Sequence, residues 1–557
     1  PQCRHHLRLR FELQPVIANC ETAPKALGAS LARMVSQSWA MLVHGSPSEP
    51  SLFSVKSAAV PADSTPAIVR DNAADGPFRP SEPPLHERQL RILLWLVAVG
   101  FFMQTLDATI VNTALPAMAN SLQTNPLHMQ SVLVVYSLTM AMLIPVSGWV
   151  ADRFGTRRVY MGAILVFVLG SLLCGLSANV AQLVAARVVQ GAGGALLLPV
   201  GRLAVLRAYP RERFLTAMSF VAIPGLIGPL LGPALGGWLV QVFSWHWIFF
   251  INLPVGLLGW FAARRHLPDF RGRDVPALDK SGYALLALGM ALVSLSVDLL
   301  ADFVWPKALI AVTLVFGLAC LAAYWLRAVR QQHPLFSPKL FQVPTLSIGL
   351  LGNLFSRLGS SGVPFLIPLL LQVKLGYPPA MAGMMMLPVA GAGMFVKRLA
   401  TLTISRYGYR RTLVVNTLCV GALIAGFSLL PLEPLWLKLV HLAVFGACNS
   451  LQFTAMNTLA LRDLDSHQAS SGNSLLSMVQ MLAISLGVAL AGTLLLGFSN
   501  WWQQGTGEAN ALQAYQAAFV CMGGLTLAST WVFWQLSPAS VMHHSIENET
   551  LTQVTPD

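Results

Sequence analysis

The sequence predicts an all-α polytopic membrane protein with fourteen transmembrane helices, and three observations lead there. Of its 557 residues 55% are apolar and 11% charged, with a mean hydropathy of +0.61. Soluble domains carry roughly 25% charged residues, so this chain cannot build a water-facing surface. Second, Phe214 to Ala263 is fifty residues without Asp, Glu, Lys or Arg, and Ser466 to Gly507 is forty-two; a spanning helix needs about 20. Third, basic residues are sorted by position. Apart from Arg187 and Arg357, the Lys and Arg after residue 92 collect where even-numbered apolar segments give way to odd ones, with Lys307, Lys374 and Lys438 as exceptions. That asymmetry predicts an even number of spans with both termini cytoplasmic. A net charge of +13 spread over six short loops, rather than gathered on one face, excludes a nucleic-acid binder.

Taken in order, residues 1–91 come first and are rich in Pro, Ser and Ala, as in Pro61-Ala62-Asp63-Ser64-Thr65-Pro66, with no sustained apolar face. They read as a disordered extension or a misplaced start, since the chain begins with Pro1 and lacks the apolar core of a signal peptide. Apolar segments follow at 92–113, 130–150, 158–177, 181–203, 215–239, 246–263, 282–300, 308–326, 345–371, 379–399, 412–431, 436–460, 473–497 and 515–535. Each has the length of a spanning helix. Residues 537–557 form a polar tail.

An internal repeat groups these segments. Asp152-Arg153-Phe154-Gly155-Thr156-Arg157-Arg158 follows span 2, and Ser405-Arg406-Tyr407-Gly408-Tyr409-Arg410-Arg411 follows span 10, 253 residues later. This predicts an N-terminal six-helix half (92–264), a linker with two inserted helices (265–343) and a C-terminal six-helix half (344–536). Repeated halves around a central cavity are the architecture of secondary transporters.

Charges inside the membrane carry the chemistry, because an Asp or Arg at a helix centre costs roughly 2.5–3.5 kcal/mol even on permissive scales. Of the acidic residues after residue 92, only Asp107 lies well inside a span. It reads as a carboxylate that binds and releases a proton or faces a cationic substrate, or as a structural ion pair with Arg187 or Arg357. Arg187 is cationic at every physiological pH, so it biases a nearby carboxylate rather than carrying the proton, and Gln190 shares its helix face. Asn112 and Arg357 complete the candidate coupling and substrate set.

Two further stretches concern movement. Gly148, Asp152, Arg153, Gly155, Arg157 and Arg158 form a loop that reads as a latch whose charges pair differently as the halves rock. Its second copy has Ser405 in place of Asp152, so the latch is asymmetric. In span 5, Gly228, Gly232 and Gly236 recur every four residues among Gly225, Pro229, Pro233 and Gly237. Bare backbone on one face permits close helix approach, and the prolines loosen the ladder. Both a static interface and a bendable seam satisfy that pattern.

Other chemistries find no support. There is no Gly-Lys dipeptide, hence no phosphate-binding Walker loop, and no His-Glu-x-x-His or Gly-x-Ser-x-Gly. The seven cysteines lack Cys-x-x-Cys spacing and point to neither metal nor disulfides. The expectation is no enzyme, no cofactor and no metal.

Together these motifs resemble the major facilitator superfamily. Gly148 to Arg158 is similar to its loop between helices 2 and 3, Arg187 to Gly194 to its helix 4 motif, and Gly225 to Gly237 to the helix 5 motif of its antiporters. Leu106 to Asn112 and the run Ser244 to Gly256 resemble the fourteen-span drug:proton antiporter subfamily. The resemblance implies a major facilitator fold and proton-driven export of small amphipathic compounds across a bacterial inner membrane by alternating access. It further implies protons and the lipid bilayer as partners and a monomer, leaving any periplasmic adaptor open. One acid against two arginines leaves a second substrate class open: an anionic metabolite or a metal–organic acid chelate.

Overall fold

The computed structural model describes residues 87–209, 211–272, 275–300, 306–506 and 511–536. The expected N-terminal extension up to residue 86 and the tail from 537 lie outside the described residues. Among those described there is no strand, and fourteen helices are long and apolar enough to cross a membrane. In chain order they are α1 (Glu87–Ser121), α2 (Pro126–Phe154), α3 (Thr156–Gly175), α4 (Val180–Ala208), α5 (Thr216–Val242), α6 (Trp247–His266) and α7 (Lys280–Leu299). They continue with α8 (Lys307–Arg330), α9 (Pro344–Lys374), α10 (Pro379–Lys397), α11 (Leu399–Leu432), α12 (Leu435–Leu461), α13 (Gln468–Gln503) and α14 (Leu512–Trp534).

Helices outrun the apolar segments at many ends, because apolar windows mark only the membrane-embedded stretch while the backbone ladder continues into polar turns. Residues 87–91, expected in the extension, form the first turn of α1. The largest difference lies after residue 399, where the sequence suggests a loop up to residue 411 but helix runs from Leu387 to Gly426 and is broken only at Gly408, inside α11, with φ 75°. Its counterpart Gly155 has φ 95° and divides α2 from α3 in the same way. A residue without Cβ takes this left-handed region at little cost, so one glycine per half makes a turn where sequence alone suggests a longer loop.

The two halves, α1–α6 and α9–α14, meet unevenly along their length. Near the α1–α2 turn at Asn125, Gln372 Nε2 donates to Thr113 O at 3.0 Å and Ala380 N donates to Gln241 Oε1 at 3.2 Å. A Cβ added at Gly237 would fall 2.1 Å from Pro379 O, and one at Gly383 the same distance from Pro233 O, so α5 and α10 touch backbone to backbone. The largest buried apolar cluster lies at this end and draws on both halves, from Ile110 and Phe249 to Phe365, Phe445 and Phe519. Toward the opposite end, marked by Asp152, the clusters part: one belongs to the N-terminal half and is joined by Met481, and another lies wholly in the C-terminal half. There α2 and α13 still touch, through Ser474 Oγ and Ile144 O at 3.5 Å.

The inserted helices flank that seam. On α7, Asp298 accepts from Gln130 of α2 at 3.0 Å, and Ser294 lies 3.2 Å from Ser485 of α13.

Candidate functional site

Five helices of the N-terminal half converge on Asp107, which is fully buried in α1. Arg187 Nη1 of α4 donates to Asp107 Oδ2 at 2.7 Å. Gln190 Nε2, one turn along α4, donates to Oδ1 at 2.7 Å, and Asn252 Nδ2 of α6 donates to the same oxygen at 3.1 Å. Gln190 Oε1 in turn accepts from Arg187 Nη1 at 2.7 Å. Ser171 of α3 accepts from Gln190 and Asn252 at 3.2 and 3.1 Å and donates to Phe249 O. The guanidinium lies 3.9 Å from the centre of the Tyr136 ring, and its Nε donates to Val132 O of α2. A buried charge is tolerated when paired and hydrogen-bonded, and this one is both.

The structure therefore brings Asp107, Arg187 and Gln190 together, and adds Asn252, Ser171 and Tyr136, which the sequence does not single out. Asn252 carries a signal, being an amide inside the apolar run of span 6. Asn112 is buried, yet five residues from Asp107 it lies on another part of α1 and is not among the partners of Asp107.

Arg357 stands elsewhere, in the C-terminal half. Its Nε donates to Asn353 Oδ1 at 3.3 Å and its guanidinium sits 4.8 Å from the centre of the Phe453 ring. Gln480 Nε2 of α13 reaches Asn457 Oδ1 of α12 at 2.6 Å and Asn353 Oδ1 at 3.5 Å. Among the described residues no carboxylate pairs with Arg357. Helical geometry shows which way this cluster looks. On α13, Ser474, Ser485 and Gly492 meet α2, whereas Ala483 and Gly487 meet α9; Gln480 lies on the arc between, facing the space between the halves. On α12, Gly446 and Ser450 meet α10 and Ala460 meets α9, with Phe453 and Asn457 on the same side. Phe453 is 37% exposed there.

The loop after α2 is held within its own half. Asp152 pairs with Arg207 of α4, and its carbonyl accepts from Gly272 N at 3.1 Å. Thr156 N donates to Phe270 O at 3.0 Å, Arg157 N donates to Asp269 Oδ1 at 3.3 Å, and the Arg157 guanidinium reaches Arg264 O. Arg153 and Arg158 are exposed, and Gly148 has open space beside it. Residues 267–272 and Pro276 thus lie against the loop and the end of α2, a partner the sequence does not announce.

The α5 glycines face α1. A Cβ on Gly228 would lie 2.3 Å from Thr105 Oγ1, on Gly232 2.2 Å from Thr109 Oγ1, and on Gly236 2.5 Å from Ile110 O. Gly225 meets Phe101 likewise. Pro229 and Pro233 lie inside the helix, and Pro233 O accepts from Thr113 Oγ1 at 3.3 Å.

Residues 97–488 match the family model described as Major Facilitator Superfamily. The chain belongs to that superfamily. Its curated relatives include MdtD of Serratia proteamaculans (strain 568), a protein provisionally named for multidrug resistance, 46% identical over 84% of this chain and 97% of the relative. MdtD of Pectobacterium atrosepticum is 49% identical over 74% of this chain and 88% of its own. Among solved superfamily structures, a bacterial homologue of the human lysosomal transporter Spinster aligns with a TM-score of 0.59 at 15% identity, covering 82% of this chain and 100% of that one. A D-xylose–proton symporter aligns at 0.56 and 14%, covering 80% and 98%. At such identities the likeness concerns the fold alone. Fourteen spans and bacterial relatives of this similarity make the chain a multi-pass inner-membrane transporter of small molecules.

Proposed function

We propose that the protein is a proton-coupled efflux antiporter that exports small amphipathic compounds, with Asp107 as the proton carrier. The observation that supports this reading is the donor set around Asp107: Arg187, Gln190 and Asn252 all donate to the one carboxylate. An ionised carboxylate only accepts, whereas a protonated one carries a donor of its own. Protonation cancels the charge that Arg187 pairs with and puts an O–H among these donors, so the charge-assisted bonds they make weaken. Two of the donors stand on α4 and one on α6, so a proton gained or lost alters contacts between α1, α4 and α6.

With both termini cytoplasmic, as the basic loops favour, the Asn125 end faces the periplasm and the Asp152 end faces the cytoplasm. The periplasmic end is the joined one, which corresponds to an inward-facing state ready to load substrate. Alternating access is then rocking of 92–264 against 344–536, with the α5–α10 contact at Gly237 and Gly383 as the seam that opens and the Asp152 loop as the inner latch. The working unit is a monomer, and the chain performs no covalent chemistry. One charge crossing about 150 mV releases about 3.5 kcal/mol, which sustains a gradient of roughly a few hundred-fold.

The test uses inverted membrane vesicles with an imposed pH gradient. Wild type releases protons when a substrate is added, and Asp107→Asn, expressed to the same level, does not. Unchanged proton release in Asp107→Asn would overturn the assignment.

A further inference from the structure

Resting on the transport reading above, we infer that the substrate carries an anionic group, a carboxylate on an apolar body, held between Arg357 of the C-terminal half and Arg202 of the N-terminal half.

Two independent placements lead to this pair. Arg357 is the guanidinium that looks into the space between the halves from α9, with Gln480, Asn457 and the exposed Phe453 ring around it. Arg202 comes from the repeat. Gly191 packs on Tyr136 O and Gly446 on Val389 O, and Tyr136 and Val389 are themselves related by the 253-residue repeat. Gly191 and Gly446 are thus equivalent, and eleven residues beyond each stand Arg202 and Asn457. The same repeat makes Gln104 the counterpart of Arg357. Each half therefore presents one arginine and one amide from the same two positions, with the order exchanged.

The N-terminal pair is also unsatisfied. Arg202 Nε and Gln104 Oε1 are buried without a hydrogen-bond partner, and Gln104 is 8% exposed. Among the described residues no carboxylate pairs with either arginine, while Asp107, the acid deep in a span, is consumed by Arg187. Partly buried cations favour a counter-charge, and the described residues supply none. An incoming carboxylate supplies it, with a guanidinium fork as a matched donor. Phe453 then offers a flat apolar wall for the rest of the molecule. A cationic substrate at the same place would meet two like charges.

Charge balance gives the inference a second signature. One anion leaving for one proton entering moves two positive charges inward per cycle, whereas a monovalent cation leaving for one proton moves none.

The experiment uses the purified full chain in proteoliposomes with two probes of the same shape, 2-naphthoate and (2-naphthylmethyl)trimethylammonium. Binding is titrated without a proton gradient, then currents are recorded with one imposed. Naphthoate should bind, with affinity reduced about ten-fold or more in Arg357→Gln and in Arg202→Gln, and less in Arg357→Lys, which keeps the charge but not the fork. Its transport should carry inward positive current. Tighter binding of the ammonium probe, binding of neither probe, or naphthoate affinity unchanged in both glutamine variants with wild-type unfolding temperatures, would each overturn the inference. Because binding is read without a gradient, naphthoate binding that survives while Asp107→Asn couples normally would sink the proton-carrier reading and leave this one standing.

Discussion

The Asp107 and Arg357 clusters, one in each half, hold their polar residues under opposite rules. Around Asp107 every donor and acceptor is turned inward: the carboxylate, guanidinium, two amides and a serine form a closed set inside the N-terminal half. Around Arg357 the amides bond to one another, but among the described residues the cation has no anion, and one wall is an exposed ring. Both clusters grow from the first helix of a repeated half, so the backbone frame is shared and the side chains have diverged. A sealed, internally neutral cluster suits a group that exchanges only a proton. An open cluster with uncompensated charge suits a group that exchanges a ligand.

Stability measurements can break this comparison most directly. Arg187→Gln strands a buried carboxylate and should cost about 3–5 kcal/mol, read as a lower unfolding temperature in detergent. Arg357→Gln removes a desolvated charge with no ionic partner, so its unfolding temperature should stay level or rise. Equal losses in the two variants would erase the distinction between the halves.

Amide truncations sharpen it on a smaller scale. Asn252→Ala deprives Asp107 of one donor in a fully buried site and should cost about 1–3 kcal/mol. Asn457→Ala, at the edge of the inter-half space, should stay within about 0.5 kcal/mol. The smallest effect belongs to the inner loop. Asp152 is one-third exposed in its pair with Arg207, so Asp152→Asn should shift stability by less than about 1 kcal/mol. A markedly altered transport rate in that variant would give the loop its gating role.

Much of this architecture is legible in the order of the residues. Fourteen spans follow from apolar run length, because a bilayer admits only helices whose backbone groups are satisfied internally. Asp107 and Arg187 stand out because intramembrane charge is expensive wherever it occurs, and Gln190 because it shares the helix face of Arg187. The turn glycines Gly155 and Gly408 are visible as a repeat, and both take positive φ.

Which charge meets which partner is not legible there. In the sequence, Asp107 has Arg187 and Arg357 as equal candidates, lying 80 and 250 positions away. Helix packing chooses between them by placing α1 and α4 in one bundle and α9 in the other. Asn252 and Ser171 are similarly hidden, since a lone polar residue in an apolar run bonds to its own helix as readily as to a charge. Arg202, at the very end of the fourth apolar segment, does not stand out there, whereas its helix continues to Ala208 and its Nε is buried. Composition and periodicity determined the class, the spans and the residues too costly to be idle. Only the tertiary structure decided their partners, because a pairing depends on distances that the spacing of residues along separate helices does not contain.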